Sequence, residues 1–327
     1  LAALPHHHAA MPAPAPFDFD AAVSAPFRMQ PGLRRLAGGV PQLTPLSPGS
    51  RHQREKLAVL SAFWADALVA LEGFDPRPAL GALFDHAKAE HPTAWQWQPG
   101  GTARALRLGT AVAADGRVEQ VQSGEFGLGD EIARCLRPLP ARWRQAALFA
   151  LAFAEDIAVI DGRDTTIPWL CVALPSHWAP REKVGRPFAE VHAPVADNAL
   201  LLRAAESLAR LVTGNERWER FVWNITDSPR LHAHPARSAG AVRWGDTPVA
   251  SAWFRSERQT FIPLPAAQQA VFTIHVDVQP LSAVLQGHPG RTRALHEAVA
   301  TMSDAVLAYR GLTAVRGALL QRLEAGP

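Results

Sequence analysis

Two stretches, Ala252-Trp-Phe-Arg-Ser-Glu-Arg-Gln-Thr-Phe261 and Ala270-Val-Phe-Thr-Ile-His-Val-Asp-Val278, decide the fold class. Both alternate with a period of two, the repeat of a pleated strand whose successive side chains point to opposite sides. In the first, Trp253, Arg255, Glu257 and Gln259 share one face, and Phe254, Ser256, Arg258 and Thr260 share the other. In the second, Phe272, Ile274, Val276 and Val278 oppose Thr273, His275 and Asp277. One face of this pair is polar enough to line a site.

Working outward, Ile157 to Ile160, Ile167 to Leu174 and Arg220 to Thr226 read as further strands. Asn198 to Val212 predicts an amphipathic helix ended by Gly214, and Pro140 opens a helix that runs to about Phe153. Between Ala103 and Gln122, Leu106, Leu108, Thr110 and Val112 share a face, and Asp115-Gly116 signals a hairpin turn. Leu57, Leu60, Trp64, Leu68 and Leu71 recur at steps of three and four, predicting a helix from Arg54 to Leu71 that Asp75-Pro76 stops. Arg291 to Tyr309 reads as helical. Helices bunched at the start, middle and end, with hairpin-like links between strands, predict an α+β fold with an antiparallel sheet.

The expected organisation has three parts. Residues 1–25 form a disordered or appended tail that carries His6, His7 and His8, with Met11 as a candidate start. Residues 26–140 form an N-terminal extension with an extended wrap to Ser50, a helix and a β-hairpin, and residues 141–327 form the core and C-terminal helix.

The 327 residues are 48% hydrophobic and 19% charged, enough apolar material for a sizeable core. No apolar run of about 18 residues or more and no leader pattern occurs, so a cytoplasmic protein without a membrane partner is expected. Of 33 basic residues only Lys56, Lys88 and Lys183 are lysine, and the arginines are interspersed with acids to a net charge of +3. Such a distribution predicts no nucleic-acid partner. Cys135 and Cys171 lack the spacing of a metal knuckle or redox pair and are expected to be reduced and buried.

Phosphate-loop, zinc-protease and nucleophile-elbow motifs are absent, and Gly127-Leu-Gly129 lacks both the third glycine and a preceding strand. His232 and His234 could share a strand face around a metal, although spacing places no third ligand beside them. The richest segment is Leu174-Pro-Ser-His-Trp-Ala-Pro-Arg-Glu-Lys-Val-Gly-Arg-Pro-Phe-Ala-Glu-Val-His-Ala-Pro-Val195, with two histidines and four prolines. A loop of this kind between a buried strand and a helix suits ligand binding. His192 within it reads either as a hydrogen-bonded core residue or as a single axial ligand to haem iron.

Several segments, taken together and in order, resemble the family of haem-dependent oxidative N-demethylase alpha subunits. They are Phe153-Ala-Glu-Asp-Ile-Ala-Val-Ile160, Pro175-Ser-His-Trp178 with Lys183 and Gly185, Val191-His-Ala-Pro-Val195, Trp223-Asn224 with Asp227 and Pro229, Ser256-Glu-Arg-Gln-Thr260, Leu264-Pro265 and Val271-Phe-Thr-Ile274. The resemblance spans roughly residues 145 to 285. It implies a PAS-like antiparallel sheet flanked by helices, a b-type haem, a small amine such as dimethylamine and dioxygen as substrates, and formaldehyde as a product. It also implies electrons from NADPH through separate flavin and iron-sulfur partner components of reductase or ferredoxin type.

By that resemblance His192 is the proximal iron ligand, Lys183 and Arg186 meet haem propionates, and Trp223 shapes the pocket. Glu257 and Arg258 would hold the ammonium substrate or polarise dioxygen, or else form a structural ion pair. This chain departs from the family after Phe-Thr-Ile, where His275, Val276 and Asp277 replace an arginine and an aromatic. His275 is therefore a rival iron ligand or a pH-dependent propionate partner. A non-catalytic PAS-like haem or small-ligand sensor is the alternative function.

Overall fold

The computed structural model describes residues 17–193, 195–237 and 243–326. The chain opens with α1 (Phe19–Ala22), β1 (Arg34–Arg35), α2 (Arg51–Ala62), α3 (Trp64–Ala67), β2 (Leu68–Ala70) and α4 (Arg77–Glu90). A small antiparallel sheet follows in the order β3 (Trp95–Trp97), β4 (Ala103–Ala105), β5 (Thr110–Val112) and β6 (Val118–Gln120). Then come α5 (Glu131–Leu136), α6 (Arg144–Ala152), β7 (Asp156–Asp161), β8 (Thr166–Cys171), α7 (Phe188–His192) and α8 (Ala199–Val212). β9 (Trp218–Thr226), β10 (Trp253–Leu264) and β11 (Gln269–Pro280) precede α9 (Leu281–Leu285), α10 (Pro289–Ala300), α11 (Asp304–Arg310) and α12 (Arg316–Ala325).

The principal sheet has the order β1-β9-β10-β11-β7-β8-β2, and all its pairings are antiparallel. The fold is therefore α+β, as the alternating stretches predict. β10 and β11 pair along their whole length, with Glu257 opposite Val276 and Arg258 opposite His275. β9 lies on the other side of β10 and sets Arg220 opposite Gln259 and Val222 opposite Glu257. Residues opposite one another in an antiparallel pair share a face. Arg220, Val222, Asn224, Arg255, Glu257 and Gln259 consequently project from one face, and Trp223, Phe221, Ser256, Arg258 and His275 from the other.

Helices cover the second face as two apolar clusters. Trp169, Ile157, Val159 and Val271 pack with Trp143 and Phe149 from the α6 region, while Trp223, Ile225 and Phe254 pack with Phe19, Leu295, Val299 and Leu319 from α1, α10 and α12. The first face is covered differently. Trp178 and Val184 of the loop after β8 lie on Ala158, Leu170 and Val172, and Val212 of α8 lies with Ile160 and Phe261.

Several local expectations are corrected. The predicted helix from Arg54 to Leu71 ends at Ala62, and Leu68–Ala70 instead pairs with Trp169–Cys171. Apolar spacing of three and four fits two short helices here, after which an open sheet edge outweighs helical propensity. Asp75-Pro76 starts a helix rather than stopping one, with Asp75 Oδ1 accepting the Arg77 amide at 3.0 Å. Leu106–Leu108 is a 3₁₀ turn rather than strand. The Arg291 to Tyr309 helix breaks at Ser303, whose hydroxyl caps α11 by accepting the Val306 amide at 3.2 Å. The Asp115-Gly116 turn is present: Gly116 has φ 85°, and a Cβ there would lie 2.7 Å from Ala141 Cβ.

Ordered structure begins earlier than Pro26. Phe19 in α1 is buried against Phe254, with ring centroids 5.7 Å apart. His6, His7 and His8, like Pro194, lie outside the described residues. Cys135 and Cys171 are unpaired and buried, which pushes both thiols up and keeps them unreactive. Among the described residues no helix is long and apolar enough to cross a membrane.

Candidate functional site

The segment after β8 runs back along the sheet edge, with Gly185 N donating to Ile167 O and Phe188 N to Thr165 O. Pro187 then presets the entry to α7, a helix of five residues. So short a helix leaves its carbonyls exposed unless side chains satisfy them. Lys183 Nζ donates to Val191 O at 3.0 Å, and Asn198 Nδ2 donates to His192 O at 3.0 Å and Ala193 O at 2.9 Å. These bonds fix the backbone that carries His192.

The His192 imidazole folds back onto its own helix. Nδ1 lies 2.9 Å from Phe188 O, and the ring stacks on Phe188 with centroids 3.9 Å apart. A carbonyl only accepts, so Nδ1 bears the proton and Nε2 keeps a free lone pair. Burial, reinforced by the positive charges of Arg220 and Lys183, pushes the imidazole down to about 4 against the opposing bond to Phe188 O. The ring is neutral at neutral pH.

Beneath this segment the first face of the sheet presents Glu257, which is 8% exposed. Its Oε1 accepts the Ser176 hydroxyl, and its Oε2 accepts Gln259 Nε2 at 2.6 Å. Arg220 lies diagonally across the strand pair from Glu257, at a spacing of roughly 7–8 Å in an ideal ladder. Its Nε is dry and has no hydrogen-bond partner among the described residues, and burial pulls the guanidinium below its ordinary range while Glu257 opposes the shift. Tyr309 of α11 lies within electrostatic reach of both, its hydroxyl raised by desolvation. Arg243, just before Trp244, leaves Nε and a terminal nitrogen without hydrogen-bond partners among the described residues and is close enough to His177 to lower its basicity.

The predicted residues therefore divide. His192, Lys183 and Glu257 are gathered on or above one face, and Arg186 sits exposed beside Lys183. Arg258 is on the opposite face, where Nε donates to Glu219 at 3.0 Å and a terminal nitrogen to Pro41 O at 2.8 Å. Adjacent strand residues cannot form one pocket pair, so Arg258 does not join Glu257. Trp223 is also on that far side, buried in the C-terminal helical core with Nε1 bound to Ala22 O.

His275 faces away from the His192 site as well. Its Nδ1 lies 3.4 Å from Glu155 Oε1 and 3.5 Å from Thr44 Oγ1, and its ring meets His52 edge-on at 5.6 Å. His275 and His192 cannot compete for one iron. His232 and His234 stack at 6.0 Å, with His232 Nδ1 on Ala173 O and His234 Nδ1 accepting the Ala236 amide. Among the described residues no group of three or more His, Cys, Asp or Glu is placed to hold a metal ion.

Arg220, Ser176 and Arg255 are the site residues that sequence reasoning passes over. An arginine in the middle of a strand is a usable signal, but only the β9–β10 register reveals that Arg220 shares the face of Glu257.

A family model described as haem-dependent oxidative N-demethylase, alpha subunit-like, matches residues 138–320. The chain belongs to this family. The match takes in every candidate site residue named above, from Ser176 to Tyr309. The family's name carries a haem-dependent oxidative activity of the oxidoreductase kind and an alpha subunit that works with partner subunits.

Proposed function

We propose that the chain is the haem-binding, oxygen-activating subunit of a monooxygenase that demethylates a small secondary amine such as dimethylamine and releases formaldehyde. One observation carries the reading: a neutral imidazole with a free Nε2, on His192, stands over a sheet face that holds a carboxylate and an unpaired guanidinium. The antiparallel sheet, with one face packed by helices and the other roofed by α8 and the loop after β8, agrees with a PAS-like core.

The residues present fit a haem. Neutral Nε2 of His192 is the donor an axial ligand requires, and its Nδ1–H bond to Phe188 O orients the ring, as outer hydrogen bonds do for metal-bound histidines. The dry, partnerless nitrogens of Arg243 suit anionic carboxylates such as the propionates, with Lys183 a further donor. On α8, Ala205, Ala209 and Val212 are buried, but Leu202 and Leu208 of the same stripe are only half-buried, leaving apolar surface for a porphyrin face. Bound haem supplies an iron that activates dioxygen.

The protein's own groups then select and hold the amine. Glu257 presents its negative charge to an ammonium in a site with little water, where such a contact is far stronger than in bulk. Arg220 supplies donors beside it for charge that builds on oxygen. Two cysteines cannot ligate an iron-sulfur cluster that takes four, so electrons from NADPH would come through separate flavin and iron-sulfur components.

The test is an absorption titration of haem-loaded protein with dimethylamine, followed by assay of NADPH-dependent formaldehyde release with reductase components. The Soret band is expected to shift with amine, and Glu257→Gln is expected to weaken that shift at least tenfold with unchanged haem content. A titration that leaves the band unmoved in the wild type would contradict the amine reading.

A further inference from the structure

Arg255 is almost wholly buried near the start of β10, yet no carboxylate among the described residues pairs with it directly. Its Nε donates to Ser176 Oγ at 2.7 Å, and its terminal nitrogens donate to Arg230 O at 3.1 Å, Leu231 O at 2.8 Å, Pro175 O at 3.2 Å and Leu174 O at 3.3 Å. One guanidinium thus joins two irregular segments, 174–178 and 230–234, to the sheet. Those segments also bond to each other, His177 N to Ala233 O and Ala233 N to Pro175 O.

The direction of the bonds at Ser176 is forced. Arginine only donates and an ionised carboxylate only accepts, so the Ser176 hydroxyl accepts from Arg255 and spends its single proton on Glu257 Oε1. Gln259 holds the other carboxylate oxygen. Glu257 is therefore gripped by two neutral donors, one of them a rotor locked by a buried cation.

We propose that Arg255 and Ser176 are positioning residues for Glu257: the Arg255–Ser176 chain fixes the carboxylate in the orientation that receives the substrate ammonium. This rests on the reading of Glu257 as the amine-binding group. Neither residue touches the amine. Their effect is to hold one rotamer in advance, so that ordering it is not charged against binding. Burial pushes the Arg255 guanidinium down to about 10, still charged at neutral pH.

Calorimetric titration of the haem-loaded protein with dimethylammonium chloride tests this, with haem content read separately by absorbance. Ser176→Ala is expected to weaken amine binding about tenfold, the scale of one hydrogen bond to a charged group. Haem content should be unchanged, and Ser176→Thr should restore affinity because it returns the hydroxyl. In a Glu257→Gln background, Ser176→Ala should add nothing, since its effect passes through Glu257. If Ser176→Ala binds amine like wild type while Glu257→Gln binds weakly, the positioning role is overturned and the amine site stands. If Glu257→Gln also binds like wild type, or wild type gives no heat, the amine reading falls and takes the positioning role with it.

Discussion

Glu155 and His275 show at the scale of single residues why a histidine can look like a metal ligand and be something else. Glu155 is 1% exposed, and burial alone would push its carboxyl up. The His275 imidazole and the Thr44 amide, 2.9 Å away, outweigh that and hold it below its ordinary value. A carboxyl lowered on folding contributes stability above its unfolded pKa, roughly 4.3, and loses that contribution as pH falls through the folded value. His275→Ala reverses the sign, because burial then raises the carboxyl and ionising it opposes folding. The variant is expected to lose about 1–3 kcal/mol at pH 7, from an unsatisfied buried acceptor, and less at a pH below the lowered folded value of Glu155, where the carboxyl is protonated in folded and unfolded states alike. Urea unfolding at the two pH values checks this, and an equal loss at both would refute it. The identity of His275 was legible in the sequence as a departure from the family, but its face was not, since only pairing with Arg258 shows that it points away from His192.

Elements were legible where a single period ran long enough to dominate. β10 and β11 alternate over a dozen residues each and were read almost to their ends, and the Asp115-Gly116 turn follows from local chemistry alone. β2 was not legible, because three residues that complete an apolar stripe became a strand only when the edge of β8 was there to pair with. α2 is held by an equally long-range device. Buried Lys56 donates to Phe153 O at 3.1 Å and Glu155 O at 2.8 Å and pairs with Asp156 at 3.2 Å, while Asp156 Oδ2 accepts the Leu174 amide at the mouth of the site loop. Lys56→Ala leaves that carboxylate uncompensated and is expected to cost about 3–5 kcal/mol, read as a fall in the denaturant midpoint. A midpoint equal to wild type would show that Lys56 does not brace the α2–β7 junction.

At the scale of the whole molecule, one sheet keeps two unlike surfaces. The face bearing Trp223, Arg258 and His275 is packed by helices, and there Arg258 pairs with Glu219 and His275 lies against Glu155. The face bearing Arg220, Arg255 and Glu257 is roofed by a proline-rich loop, a five-residue helix and α8, and there polar groups remain without partners. Composition and motifs pointed to the right segments but could not assign them to faces, because a strand's neighbours are set by pairings over long sequence separations. The proposed role of His192 is to hold haem over the face that bears Glu257. The measurement that tests it most directly is haem reconstitution followed by Soret absorption in the wild type, His192→Ala and His275→Ala. The wild type and His275→Ala are predicted to take up haem with the same spectrum while His192→Ala fails to retain it; retention by His192→Ala with loss in His275→Ala would place the iron on the opposite face and contradict the account.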